Sequence, residues 1–231
     1  ISTAVYFQGF SVAAQDATPT GVSFNKTGTK MYIIGTTNDQ VREYNLGTAF
    51  NVSTAVYFQG FSVAAQDATP QAVTFNNDGT KMFVVGATND NVYEYNLSTG
   101  FSVSTAVFST SLSVTARDNT PTDVVFNTTG TKMYVIGTQR DRINEYNLGT
   151  AFSVSTAVFS QFYAMGTQDG TPHGIAFNAS GTKVYMVGQA NDRVYEYKVL
   201  PTANLNYIES SANDGSVTSS LSVVLVGDTF K

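Results

Sequence analysis

The chain has no cysteine and no tryptophan. Without cysteine there is no disulfide framework, no thiolate nucleophile and no cysteine-ligated metal. His173 is the only histidine. Charge is also scarce, at 13% of residues, which is low for a soluble domain. The net charge is −5 and the twelve Lys and Arg are scattered. Phosphate binding needs a basic surface, so nucleic acid is not expected as the main partner. No apolar run approaches the roughly 18–20 residues of a spanning helix, so no membrane insertion is expected. No basic segment with an apolar core opens the chain, so no signal peptide is visible. The sequence starts at Ile1 in mid-repeat and reads as a piece of something longer, so the missing signal says little about export.

What is abundant is repetition. Ser2 to Pro19 and Ser53 to Pro70 carry the same eighteen letters, a period of 51 residues. Thr-Pro pairs recur at Thr18-Pro19, Thr69-Pro70, Thr120-Pro121 and Thr171-Pro172. A period near 50 marks one supersecondary unit copied in a propeller or solenoid. A residue kept in every copy then serves the unit's fold, and a residue that differs is free to serve a site.

One unit reads as four strands. Gly21 to Asn25 is short and follows a proline; Lys26 to Thr29 is a turn whose glycine supplies a positive φ. Lys30 to Gly35 is rich in β-branched and aromatic residues, and Gln40 to Asn45 alternates polar and apolar. Thr54 to Val63 is the fourth strand, after a longer connection. Four antiparallel strands per ~50 residues make one propeller blade. Three-strand sets begin at Thr18, Thr69, Thr120 and Thr171, but the fourth strand follows only the first three sets. A spare copy, Ser2 to Val12, stands at the N-terminus. The expected fold is an all-β propeller of four blades over residues 1–199, closed by that N-terminal strand completing the last blade. A larger ring shared among several chains or with further sequence, and an open β array, remain alternatives.

The motif TPxxVxFNxxGTKMYVxG followed by NDxVxEYNL resembles the surface-layer type of β-propeller, the YVTN and NHL-like group. It is similar also to tandem repeats ending FxVSTA in marine bacterial and phage-associated surface proteins. The resemblance covers residues 1–199 and implies a propeller in an extracellular, cell-surface or virion-surface setting. It implies no reaction. Residues 200–231 form a separate segment, expected to be a β-hairpin or the stump of a further module. Its motif ANDGSVTSSLSVxLxGDTF resembles the first hairpin of Ser/Thr-rich β-sandwich modules of bacterial surface proteins.

Two residue sets stand out as candidate sites. Asp16, Asp67, Asp118 and Asp169 precede the Thr-Pro pairs, and a four-fold ring of carboxylates could hold Ca²⁺. The alternative is an Asx turn, in which each carboxylate accepts backbone N–H groups. The second set follows the prolines and varies: Thr20-Gly21, Gln71-Ala72, Thr122-Asp123 and His173-Gly174. These open the innermost strands and should ring one mouth of a central channel. Thr20, Gln71, Thr122, Asp123 and His173 are therefore the candidate ligand site, with a hydrated funnel as the alternative. The mid-strand Glu43, Glu94, Glu145 and Glu196 are expected to pair across strands with Lys30, Lys81, Lys132 and Lys183.

No Gly-x-Ser-x-Gly elbow supplies a nucleophile, and no recognisable catalytic motif is present. The first functional expectation is therefore a non-catalytic binding or structural module of a surface protein. It would engage a glycan or another surface protein through like blades, using outer-strand aromatics such as Tyr57, Phe58, Tyr93, Phe108 and Tyr195. The alternative is a hydrolase or lyase with its site at the channel mouth around Asp123 and His173. A third possibility is self-association through residues 200–231, by strand addition to a neighbour's sheet edge.

Overall fold

The computed structural model describes residues 5–199, which lie in a compact unit spanning Ile1–Val199. The tail from residue 200 onward, with its expected hairpin, lies outside the described residues. The fold is an all-β, four-blade propeller. Blade 1 holds β1 (Pro19–Phe24), β2 (Lys30–Gly35), β3 (Gln40–Leu46) and β4 (Ala55–Ser62). Blade 2 holds β5 (Pro70–Phe75), β6 (Lys81–Gly86), β7 (Asn91–Leu97) and β8 (Ala106–Ser113). Blade 3 holds β9 (Pro121–Phe126), β10 (Lys132–Gly137), β11 (Arg142–Leu148) and β12 (Ala157–Ala164). Blade 4 has three strands, β13 (Pro172–Phe177), β14 (Lys183–Gly188) and β15 (Arg193–Lys198). Every sheet is an antiparallel meander in chain order. Single 3₁₀ turns at Val52–Thr54, Val103–Thr105 and Val154–Thr156 precede the fourth strands.

Local chemistry explains the unit. The second strand of each blade is covered on both faces, so it carries a continuous apolar run such as Met82-Phe-Val-Val. The turn before it ends on a glycine in the left-handed region, Gly79 at φ 71° in blade 2. The hairpin tips place Asp39, Asp90, Asp141 and Asp192 in the same region, which a short polar side chain tolerates. Phe50, Phe101 and Phe152 also have positive φ, rare for a bulky residue. Each is held there by its neighbour: the Phe101 N–H donates to the Gly79 carbonyl at 2.9 Å, and its ring lies against Gly79.

Blades stack through apolar contacts between neighbours. Val73 of β5 is buried in one cluster with Ile34 and Val41 of blade 1. Val124 repeats this against Val85 and Val92, and Ile175 against Ile136 and Ile143. Tyr32 meets Phe75 at 4.3 Å between ring centroids, Phe83 meets Phe126 at 4.4 Å and Tyr134 meets Phe177 at 4.6 Å. The inner strands touch in succession, β1 with β5, β5 with β9 and β9 with β13.

The N-terminal segment takes the outermost-strand position beside blade 1. Gln8 donates to Asn51 at 2.6 Å, as Gln59 one repeat later donates to Ser102 at 3.0 Å. Phe10 packs edge-on to Tyr44 as Phe61 does to Tyr95. Val12 joins the blade 1 cluster with Met31, Ile33 and Tyr44. Residues 5–12 are nevertheless not hydrogen-bonded as a strand, and β15 pairs with β14 alone among the described residues.

Candidate functional site

The variable residues after each proline share an unexpected backbone feature. In every inner strand the ladder skips one residue: Pro19 and Gly21 are paired across β2, but Thr20 is not. The same break leaves out Gln71 in β5, Thr122 in β9 and His173 in β13. Four of the five candidate residues are thus bulged positions at the same end of four inner strands. Bulges recur beside active sites because they re-aim a side chain. The sequence signal was the proline itself, which removes one ladder donor at the strand's first residue.

Most of these side chains are used by the fold. The Thr20 hydroxyl donates to the Pro70 carbonyl at 3.0 Å, joining blades 1 and 2. Gln71 folds back to the Thr69 carbonyl at 3.1 Å, and the buried Thr122 donates to the Ile136 carbonyl at 3.3 Å. Asp123 lies next to the bulge and reaches across to blade 4. Its carboxylate accepts the Val124 N–H at 2.7 Å and the Ile175 N–H at 2.9 Å. Some of its surface meets solvent, yet protein packs densely around it. That burial pushes the Asp123 carboxyl up to about 7, against the two N–H bonds that favour the ionised form. His173, half-buried on the neighbouring strand, has its pKa lowered by burial, so it is neutral at pH 7. Blades 3 and 4 therefore place a carboxyl titrating near neutrality and a neutral imidazole on adjoining inner strands.

The four aspartates before the Thr-Pro pairs do not assemble a shared cation site. No group of three or more His, Asp and Glu side chains suited to a metal occurs among the described residues. Each carboxylate is buried inside its own blade as a backbone cap. Asp67 accepts from the N–H groups of Thr69 at 2.9 Å, Thr88 at 3.2 Å and Asn89 at 3.1 Å, and from the Tyr93 hydroxyl at 3.2 Å. Asp169 accepts similarly from Thr171, Ala190 and Asn191. In Asp67 and Asp169 the lone pairs a hard cation would need are spent mainly on backbone donors, whereas Asp16 accepts the Thr18 N–H on one oxygen and has its other oxygen buried without a partner.

The cross-strand Lys–Glu pairs are present in all four blades. They are more than surface register marks, because Glu43, Glu94 and Glu145 are buried. Glu94 takes Lys81 at 2.6 Å on one oxygen and the Val154 N–H of blade 3 at 2.9 Å on the other. Among the outer-strand aromatics, Tyr57, Phe58 and Phe108 are exposed, Tyr195 is half-buried and Tyr93 is buried, its hydroxyl turned in to Asp67. A larger cavity of about 580 Å³ lies at the opposite end of the inner strands, lined in part by Asn77, Asn127, Tyr134 and Asn178. Its described lining has no carboxylate or imidazole.

No family model matches the chain, and no curated protein matches it in sequence. The YVTN and NHL-like repeat type is therefore not confirmed, although the propeller fold is. Among solved structures, a Bacteroides uniformis protein described as a candidate 6-phosphogluconolactonase aligns with a TM-score of 0.57 at 14% identity, over 83% of this chain and 55% of its own. The periplasmic gluconolactonase PpgL of Pseudomonas aeruginosa gives 0.51 at 12% identity, over 80% and 54%. The β-propeller domain of Myceliophteria thermophila Cps50 (Swd1) gives 0.51 at 10% identity, over 79% and 54%. The chain thus spans about half the length of the structures it matches. At these identities the likeness establishes fold alone. It still corrects one expectation. The lack of a recognisable motif predicts a non-catalytic module, yet proteins named as gluconolactonases are built on this architecture. Lack of a motif on this fold is no argument against catalysis.

Proposed function

We propose that the chain is a hydrolase of sugar lactones or similarly activated cyclic esters, acting at the bulged rim between β9 and β13. The observation that carries this reading is Asp123, a carboxyl beside an inner-strand bulge whose burial pushes it up to about 7. A group of that pKa both takes and returns a proton at neutral pH. Asp123 acts as general base on a water whose oxygen attacks the lactone carbonyl carbon. The ring C–O bond breaks, and the proton held by Asp123 passes to the departing alkoxide, giving the open hydroxy acid. His173 is neutral there and donates its ring N–H to a substrate oxygen. The substrate class is supported by the gluconolactonase names among proteins of this fold. The test is pH-stat hydrolysis of gluconolactone and simple lactones. The parent is expected to show kcat/KM rising with pH through about 7, and Asp123→Asn to lose roughly 100-fold or more. Turnover equal to the uncatalysed rate across the lactone panel, or full activity in Asp123→Asn, overturns the reading.

A second reading concerns the outer surface. Val56, Val107 and Val158 are each exposed at the same place in β4, β8 and β12, beside exposed Tyr57 and Phe108. A repeated apolar stripe suits a glycan or a surface protein engaged by several blades at once, where weak like sites add through avidity. A glycan array with the parent and a Tyr57→Ser/Phe108→Ser variant tests it: loss of binding in the variant supports it, and silence of the parent removes the glycan version.

A further inference from the structure

Three interfaces between successive blades are built alike, and the fourth has no counterpart among the described residues. Val22 of β1 is 60% exposed, whereas its equivalents Val73, Val124 and Ile175 are buried against the preceding blade. On the other side of the seam Val187 and Val194 are 43% and 60% exposed, whereas Ile34, Val85, Ile136, Val41 and Val92 are 0% exposed. No apolar cluster contains residues of both blade 4 and blade 1 among the described residues. The Tyr–Phe or Phe–Phe stack that joins each other pair of blades has no counterpart between Tyr185 and Phe24. In its place an apolar groove of about 340 Å³ runs along blade 1, lined by Phe10, Val12, Val22, Met31, Ile33 and Val52.

The polar groups at the two ends are equally unfinished and match each other. In blades 1 and 2 the buried glutamate accepts an N–H from the 3₁₀ turn of the next blade, Val103 to Glu43 at 3.0 Å and Val154 to Glu94 at 2.9 Å. Glu196 of blade 4 pairs with Lys183 but accepts no N–H from another blade among the described residues, and its side chain is 46% exposed. The donor it lacks is equivalent to the Val52 N–H of blade 1. The glutamine Gln59 also donates to Glu43 across β3 and β4 at 2.7 Å, and its equivalent at the seam is Gln8. One end of the molecule carries the strand-like segment and donors, and the other carries the open β15 edge and acceptor.

We propose that a second copy of this chain closes this seam, each copy's N-terminal segment adding as the fourth strand to the other's blade 4. The four blades align with about half the length of longer propellers, 54–55% of the three compared, which leaves room for a second set of blades beside this one. A head-to-tail contact that closes after two copies forms a ring and leaves no free edge. At each seam Val22 of one copy covers Val187 and Val194 of the other. Glu196 accepts from Val52 and Gln8 of the second copy.

Cysteine cross-linking of the full chain decides it, since the parent has no cysteine. Gln40 pairs with Ser62, and Asn91 with Ser113, across the last two strands of blades 1 and 2. The equivalent pair at the seam is Arg193 and Ser11. Oxidised Ser11→Cys/Arg193→Cys is expected to run as a covalent dimer, with light scattering of the parent giving twice the monomer mass. A second variant, Val22→Asp/Val194→Asp, changes two residues exposed in the single copy, so its circular dichroism stays that of the parent while the dimer is lost. A disulfide formed within one chain at monomer mass overturns the proposal in favour of self-closure. A parent that is monomeric up to 100 μM overturns it outright, as does a Val22→Asp/Val194→Asp protein that is still dimeric.

Discussion

The carboxylate of Asp67 lies flat against the α-carbon of Gly86: a Cβ added to that glycine would stand 2.2 Å from Asp67 Cγ. Gly35, Gly137 and Gly188 meet Asp16, Asp118 and Asp169 in the same way. The pairing fixes which end of the second strand the Asx cap seals. Gly86→Ala is therefore expected to displace a cap that holds three backbone N–H groups, costing about 2–4 kcal/mol. Urea denaturation checks it; a loss within the scatter of an ordinary surface substitution rejects the steric account.

A different glycine separates strain from packing. Gly79 and Gly181 occupy equivalent turns at φ 71° and 68°. A Cβ at Gly79 would meet the Phe101 ring at 2.3 Å, whereas at Gly181 nothing among the described residues lies within 4 Å. Alanine at either position carries the left-handed penalty of about 1 kcal/mol. Only Gly79→Ala must also expel an aromatic ring, so its cost is expected to exceed that of Gly181→Ala by about 2 kcal/mol. Equal losses in paired thermal melts would show that the ring gives way freely.

These contrasts bear on how much of the molecule its sequence disclosed. The 51-residue period, the strand Lys30–Gly35 and the Lys–Glu pairing were legible because each is a local pattern printed four times. The burial of Glu43 was not, because it depends on Val103 of the next blade, sixty residues away. Asp123 was singled out for varying between copies, but its bond to Ile175 is a relation between blades that no single repeat contains. The bulges at Thr20 and His173 were hidden as well, since a proline marks where a ladder weakens and not which residue is skipped. The aspartates admit both a cation ring and Asx caps in sequence, with the caps the expected reading, and the backbone donors around Asp67 and Asp169 decide for the caps there.

The buried ion pairs give a third expectation. Glu94 is buried, accepts from Lys81 and Val154, and holds two blades together. Glu94→Gln leaves the lysine charge without its partner in a desolvated setting, and a loss of about 3–5 kcal/mol is expected. Glu196→Gln alters the same pair where both side chains are exposed, and little measurable loss is expected in the single copy. A double-mutant cycle with Lys81→Met and Lys183→Met checks the difference; equal coupling in the two blades would contradict it.

Blade 3 carries a correctable flaw. Asn144 is 0% exposed and both amide atoms lack a hydrogen-bond partner. Tyr93 fills the same position in blade 2 and reaches Asp67 with its hydroxyl. Asn144→Tyr is expected to reach Asp118 likewise, relieve the unpaired amide and raise stability by about 1–3 kcal/mol. A lowered melting temperature would mean that blade 3 has no room for the ring.

The pH dependence follows from Asp123 with a definite sign. Its carboxyl moves from 3.8 to about 7 on folding, so between those values the folded chain holds a proton that the unfolded chain has released. Stability from this group is full below 3.8 and is lost as pH rises through about 7, by up to about 4 kcal/mol. His173 acts oppositely: burial lowers its pKa, so its contribution is present above 6.5 and is lost as pH falls. The displacement of Asp123 spans pH 3.8 to about 7 and sets the net slope over most of the window from pH 5 to 8, so the parent is expected to be less stable at pH 8 than at pH 5. Asp123→Ala forfeits two backbone hydrogen bonds and is weaker at both values, but the slope that remains is that of His173, rising with pH. Denaturation midpoints at pH 5 and 8 read this directly, and a parent whose stability rises between them would place the Asp123 proton elsewhere and remove the base from the proposed hydrolysis.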